Sequence, residues 1–220
     1  RNFLLSITHE LKSPIAGIRL ILETFQKRRD LPEAIREKLS TNALKETDRL
    51  TSLVNDLLLS AKLETSYQLN PEPIDLEELL QETVEKIARK YPKAQIQFTA
   101  ESDLPFIRGD RTGLTSVAVN LVENAAKYSQ PTPKIDVHLR RGSHREVIWT
   151  VADNGIGIPD AEKGRVLTKF YRVGNEDTRQ TKGTGLGLYI VKKLVDLHHG
   201  HLALRDNKPK GTLFEVSLPV

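Results

Sequence analysis

The sequence predicts an α + α/β fold: a pair of long helices, then an α/β layer with helices on one face of a mostly antiparallel sheet. Three observations carry this. Apolar residues recur at three- and four-residue spacing from Leu4 to Ala61, the period of an amphipathic helix. Asn70, Pro71 and Pro73 then break that period and mark a linker. Beyond them, short alternating segments take turns with amphipathic ones, the pattern of a mixed layer rather than a further bundle.

In the first helix, ending near Arg28, the seam is Leu4, Ile7, Leu11, Pro14, Ile18, Ile21 and Phe25. With Leu4 at heptad position a, His9 falls at position f, the outermost place. Taken alone, that spacing also fits an ordinary solvated histidine. Glu10 beside it suits holding one ring nitrogen so that the other is a nucleophile. Pro14 should bend the helix just after it. The stretch KRRDLP is a turn, with Pro32 in the first turn of a second helix running to about Glu64. Its apolar positions are Leu39, Ala43, Leu50, Leu53, Leu57 and Ala61. A two-helix layer leaves one side of each seam wet, so a second copy is expected to cover it as a dimeric four-helix bundle.

After the linker, Asp75 opens a helix from Leu76 to Tyr91, Gln95 to Thr99 alternates as a strand, and Phe106 and Ile107 suggest a short one. Arg111 to Tyr128 is a helix. Lys134 to Arg140 and Glu146 to Ala152 form a hairpin pair, Leu186 to His198 another helix, and His201 to Arg205 and Thr212 to Leu218 the last strands.

Three stretches in this second part carry chemistry. In NLVENAAKY, Asn120, Glu123, Asn124 and Lys127 share one polar stripe. Paired amide oxygens suit a hard cation such as Mg²⁺, although a solvated helix face reads the same way. DNGIGIP follows a strand, and Gly155 and Gly157 let the backbone turn tightly or approach a flat ligand. Its Asp153 is placed to accept from an exocyclic amine; an ordinary glycine turn is the alternative. In GTGLGLYIVKK, glycines open a helix, as at phosphate sites. Between the last two stretches, the long loop containing Phe170, Tyr171 and Arg172 has the length of a functional lid or of a disordered segment.

Composition narrows the alternatives. The 220 residues suit one or two domains, and 33 basic against 29 acidic side chains give a net charge of only +4, too little for a charge-driven nucleic-acid binder. With no cysteine, disulfides and thiolate metal sites are excluded. No apolar run approaches the roughly 20 residues that span a bilayer, so no membrane contact is expected within this segment. The lack of any Met, with a functional-looking histidine at position nine, reads as a piece of a longer protein.

HELKSP, NLVENAAKY, DNGIGIP, FYR and GTGLGL, in this order, closely resemble the H, N, G1, F and G2 boxes of sensor histidine kinases. The resemblance covers essentially the whole chain. It implies a dimerisation and phosphoacceptor domain over 1–66, and over 71–220 an ATP-binding α/β sandwich of the kind shared with gyrase, Hsp90-type and MutL-type ATPases. It further implies that His9 is phosphorylated from ATP with Mg²⁺, with Glu10 orienting the ring, and that Asp153 binds the adenine amine. Asn120 and Asn124 would hold metal and phosphates. Lys127 and Arg172 would lie near phosphate and Tyr128 against the nucleotide. Gly155, Gly157, Gly183, Gly185 and Gly187 would surround the ligand, with Phe170, Tyr171, Thr184 and Leu186 beside them. Ser13 stands where the family's phosphatase pattern has Thr or Asn. His198 and His199 are read as structural. The implied partners are a second copy through 1–66 and a response-regulator receiver domain. The implied location is the cytoplasm, compatible with an anchor in the inner or plasma membrane elsewhere in the full protein. A water-using ATPase of the same fold is disfavoured because those relatives carry a Glu base where this chain has Asn120. A nucleotide-binding scaffold without phosphotransfer is the other alternative.

Overall fold

A computed structural model describes residues 2–143, 145–174 and 183–220, with the side chains of the first helix described from Ile7 onward. Helices α1 (Asn2–Lys27) and α2 (Glu33–Thr65) form an antiparallel hairpin. The α1 seam is as the spacing predicts: Pro14 is buried, and Ile7, Leu11, Ile18, Ile21 and Phe25 are half-buried. Helix α1 runs through Pro14, and Pro32 caps α2 from one residue outside it.

In α2 the expected position Ala61 is exposed and Ser60 is buried in its place. The face turns at this level because it meets a different partner: Leu57, Leu59 and Leu63 pack against the core of the α/β part. Towards the turn, the hairpin leaves large apolar side chains in water, with Ile15 50%, Leu22 55% and Leu44 66% exposed.

The segment expected to be only a linker contains a strand, β1 (Glu72–Ile74), paired antiparallel with β3 (Ile107–Gly109). Pro71 and Pro73 disguise it, yet proline is tolerated in an edge strand whose N–H faces water. Helix α3 (Leu76–Lys90) starts where Asp75 accepts from the backbone N–H groups of Glu77 and Glu78 at 3.0 and 3.2 Å, an N-cap. Phe106, expected within a strand, is exposed and lies just before β3.

The main sheet has the order β2-β4-β5-β7-β6, from β2 (Gln95–Ala100), β4 (Lys134–Arg141), β5 (Glu146–Asp153), β6 (His201–Asp206) and β7 (Thr212–Pro219). Only β2 and β4 run parallel; the other neighbours are antiparallel. Alternation sends Ile135, Val137 and Leu139 of β4, Trp149 and Val151 of β5, and Phe214, Val216 and Leu218 of β7 to one buried face. Helices α3, α4 (Arg111–Tyr128) and α6 (Gly187–Leu197) cover it, and a short helix α5 (Asp160–Lys163) lies in the long loop.

His198 is buried at the end of α6. One ring nitrogen, Nδ1, lies 2.7 Å from the Leu194 carbonyl, and the other, Nε2, accepts from the Asp110 backbone N–H at 2.9 Å. The ring thereby ties α6 to the start of α4, the structural role expected of it.

Candidate active site

His9 is exposed on α1, as its heptad position requires. Neighbouring helix positions do not face each other, so the carboxylate next to His9 takes its direction from other partners. One oxygen of Glu10 pairs with Arg49 of α2 at 2.5 Å, and the other lies 3.5 Å from Arg172. The Glu10 and Arg172 side chains are 12% and 10% exposed. Arg172 also donates to the Gly183 carbonyl at 2.7 Å, so one guanidinium touches both flanks of the long loop and the helix that carries His9. Residues 175–182, between those flanks, lie outside the described residues. Ser13, four residues after His9 and therefore on its helix face, is half-buried.

The second cluster is built at the end of β5. Asp153 is buried, and its Oδ1 accepts from the backbone N–H groups of Gly155 at 2.7 Å and Thr212 at 3.1 Å. Burial pushes its carboxyl above the usual carboxylate range, against the pull of those two donors. Thr212 is there because β7 pairs with β5 in the register that sets Leu213 opposite Ala152. Glycine is required nearby. A Cβ on Gly155 would stand 2.7 Å from the Tyr128 carbonyl, and one on Gly211, at φ +128, only 1.8 Å from the Asp153 carbonyl. Gly157 holds φ +75 at the turn.

The third cluster lies between α4 and the start of α6. Asn120 donates from Nδ2 to the Ser116 carbonyl at 2.9 Å, which fixes its amide with Oδ1 turned towards Gly187. A Cβ on Gly187 would stand 2.5 Å from that oxygen. Asn124 is half-buried one turn further on. Gly185 holds φ +70 and is packed on the backbone of Phe170 and Tyr171, with the Phe170 N–H donating to its carbonyl at 2.9 Å. Thr184 is buried and its hydroxyl accepts from the Leu186 N–H at 3.3 Å; Leu186 itself is in the core. Tyr128 is exposed at the end of α4, whereas a Cβ on Gly183 would meet none of the described residues within 4 Å.

Lys127 pairs with Glu123 at 3.0 Å, and Lys90 holds the same carboxylate at 2.6 Å. Burial pushes the Glu123 carboxyl up, but these two lysines outweigh it and hold it below the usual range. Asp56 of α2 faces this pair: burial pushes its carboxyl up to about 6, with Lys127 drawing it down and Glu123 pushing it up.

Sequence reasoning did not single out Arg49, Asp56, Thr212 or Gly211. Gly211, before a strand, carried a turn signal in the sequence, but its approach to Asp153 spans two strands. The other three owe their roles to contacts far along the chain, for which no local signal exists.

The buried Asp153 carboxylate at a strand end, glycines packed tightly on neighbouring backbone and the amide oxygen of Asn120 on the facing helix suit a nucleotide-binding domain. Residues 109–220 match the family of histidine kinase-, DNA gyrase B- and HSP90-like ATPases. Residues 1–66 match the His Kinase A (phospho-acceptor) domain. The chain belongs to the histidine kinases, and it comprises their catalytic core. It is 34% identical over its full length to the alginate biosynthesis sensor protein KinB of Pseudomonas aeruginosa, spanning 37% of that protein. It is 30% identical over its full length to the sensor protein kinase WalK of Staphylococcus aureus, spanning 53% of it. The chain thus covers only about a third to a half of these relatives. Among solved structures, full-length ShkA in complex with AMPPNP matches 98% of this chain and 45% of its own, with a TM-score of 0.71 and 27% identity. Among the described residues no helix is long and apolar enough to cross a membrane.

Proposed function

We propose that the chain transfers the γ-phosphoryl group of ATP to a ring nitrogen of His9, and from there to an aspartate of a response-regulator receiver domain. Residues 1–66 act as dimerisation and phosphoacceptor domain and 71–220 as the ATP-binding domain. The observation that carries the reading is the Glu10–Arg172 pair, which joins the neighbour of an exposed histidine to the loop flanking the glycine cradle.

In this reading Asp153 receives the adenine amine, and Gly155, Gly185 and Gly187 let the segments around the nucleotide pack closely on Tyr128, on the Phe170–Tyr171 backbone and on Asn120. Asn120 and Asn124 would hold Mg²⁺, which would supply positive charge against the phosphates. Glu10 takes the proton from the imidazole nitrogen that does not react, and Lys127 and Arg172 supply positive charge. Lys127 leaves Glu123 to do so, and Lys90, at 2.6 Å, still pairs that largely buried carboxylate. Ser13, on the His9 face, orients water for the reverse traffic, dephosphorylation of the regulator. A second copy covers Ile15, Leu22 and Leu44, since apolar side chains of that size at helical spacing mark an interface.

Incubation with γ-labelled ATP tests the assignment. Wild type should acquire an acid-labile label, and His9→Gln should lose it while keeping ATP affinity within about twofold, because an acceptor outside the pocket contributes nothing to binding. Label retained by His9→Gln sinks the assignment.

A further inference from the structure

We infer that phosphoryl transfer runs within one subunit: the nucleotide domain of each chain serves the His9 of that same chain. This rests on the histidine-kinase reading and adds to it which protomer supplies the acceptor. Three polar contacts join the nucleotide domain to the hairpin of its own chain, and a fourth joins it to Tyr67 just after α2. Glu64 of α2 pairs with Lys169 at 2.8 Å and accepts from the Tyr189 hydroxyl at 3.1 Å. Tyr67 donates to Asp110 at 3.0 Å, and Arg172 lies 3.5 Å from Glu10. Leu57, Leu59 and Leu63 add an apolar strip against the domain core.

These contacts define one docking surface along the hairpin. The Arg49–Glu10 pair sets the level of His9, and Glu64 lies fifteen residues further along α2, about 22 Å at 1.5 Å per residue. The domain is anchored at the Glu64 end, and Arg172 reaches the His9 end. The exposed Ile15, Leu22 and Leu44 lie beyond His9 towards the turn. A second copy can therefore cover them with the domain still seated on its own hairpin.

The lone pair of one His9 nitrogen forms the new N–P bond as the bond from the γ-phosphorus to the β,γ-bridging oxygen breaks. That bonding pair leaves on ADP, and the proton of the other ring nitrogen passes to Glu10 and then to water.

Two mixed dimers, purified through different tags on their two chains, decide it. The first pairs wild type with a chain carrying His9→Gln, Asp153→Asn and Asn124→Asp together. The second pairs a His9→Gln chain with an Asp153→Asn, Asn124→Asp chain. Transfer within a subunit gives the first about half the label of the wild-type dimer and leaves the second at the background of its parent homodimers. Label in the second dimer with none in the first overturns the inference. If the mixed dimers do not assemble, the initial rate per wild-type chain is followed across dilution through dimer dissociation. A constant rate supports transfer within a subunit, and a rate that falls with dimer content while the helical circular dichroism of the chain is unchanged overturns it. A wild-type dimer that takes no label, or keeps it in His9→Gln, refutes the histidine-kinase reading itself.

Discussion

Asp153 holds a buried carboxyl whose Oδ1 already accepts two backbone N–H groups, so a substitution there is felt at the ligand and not only in the fold. If Asp153 accepts from the adenine amine as proposed, Asp153→Asn puts a donor there and should weaken ADP binding by about 1 to 3 kcal/mol. Calorimetry reads this directly, and unchanged affinity would remove Asp153 from the adenine contact. Arg49 acts through another residue: it holds Glu10 at 2.5 Å with both side chains largely buried. Arg49→Gln leaves that carboxylate with only the longer contact to Arg172. His9 phosphorylation at saturating ATP should fall about ten- to a hundredfold, within the range that a general base contributes, with the KM for ATP little changed. If Arg49 acts through Glu10, the loss should not add to that of Glu10→Gln. Independent, additive losses would show that Arg49 serves the fold alone.

Helix α2 is asked to do different things along its length. Towards the turn it faces α1 and leaves Leu44 in water; from Leu57 onward it packs against the nucleotide domain. Asp56, at the join, faces the Lys127–Glu123 pair, and burial raises its carboxyl to about 6 from an ordinary 3.8. The folded state thus holds a proton that the unfolded state gives up between those values. Stability should therefore fall as pH rises from about 4 through about 6, and stay level above. The penalty is on the order of 2 to 3 kcal/mol. Asp56→Asn should abolish the fall, giving a higher Tm than wild type at pH 7 and a similar one near pH 4. Parallel Tm–pH curves for the two proteins would mean that Asp56 is solvated.

Across the whole molecule, the hairpin and the α/β layer should be separable with unequal results. Residues 71–220 contain both sheets and the helices that cover the main one. That piece should fold as a monomer and bind Mg-ATP. Residues 1–66 lose the cover over Leu57, Leu59 and Leu63, and should be helical only as a dimer with concentration-dependent stability. Mixed together, the pieces should label His9 slowly, because the effective concentration given by the connection is lost. Sedimentation of the two pieces checks the division: a stably helical monomer of 1–66, or a dimer of 71–220, contradicts it.

Much of this was legible in the sequence because it is set by neighbours in the chain. The α1 seam, the Asp75 cap, the alternation of β4, β5 and β7, and the ordered motifs depend on periodicity and backbone preference over a few residues. They also identify the family and single out His9, Asp153 and Asn120. Sequence reasoning stopped where a side chain answers to something distant. Strand β1 was hidden because its prolines signal a break unless β3 is known to lie beside it. Ala61 was placed inside because the helical period says which residues share a face, not where that face changes partner. The direction of the Glu10 carboxylate, the burial of Asp56, the seat of Thr212 beside Asp153 and the reach of Arg172 to its own hairpin were decided by tertiary structure alone. Each depends on a distance between elements far apart in the chain, and such distances are fixed by how the layers pack.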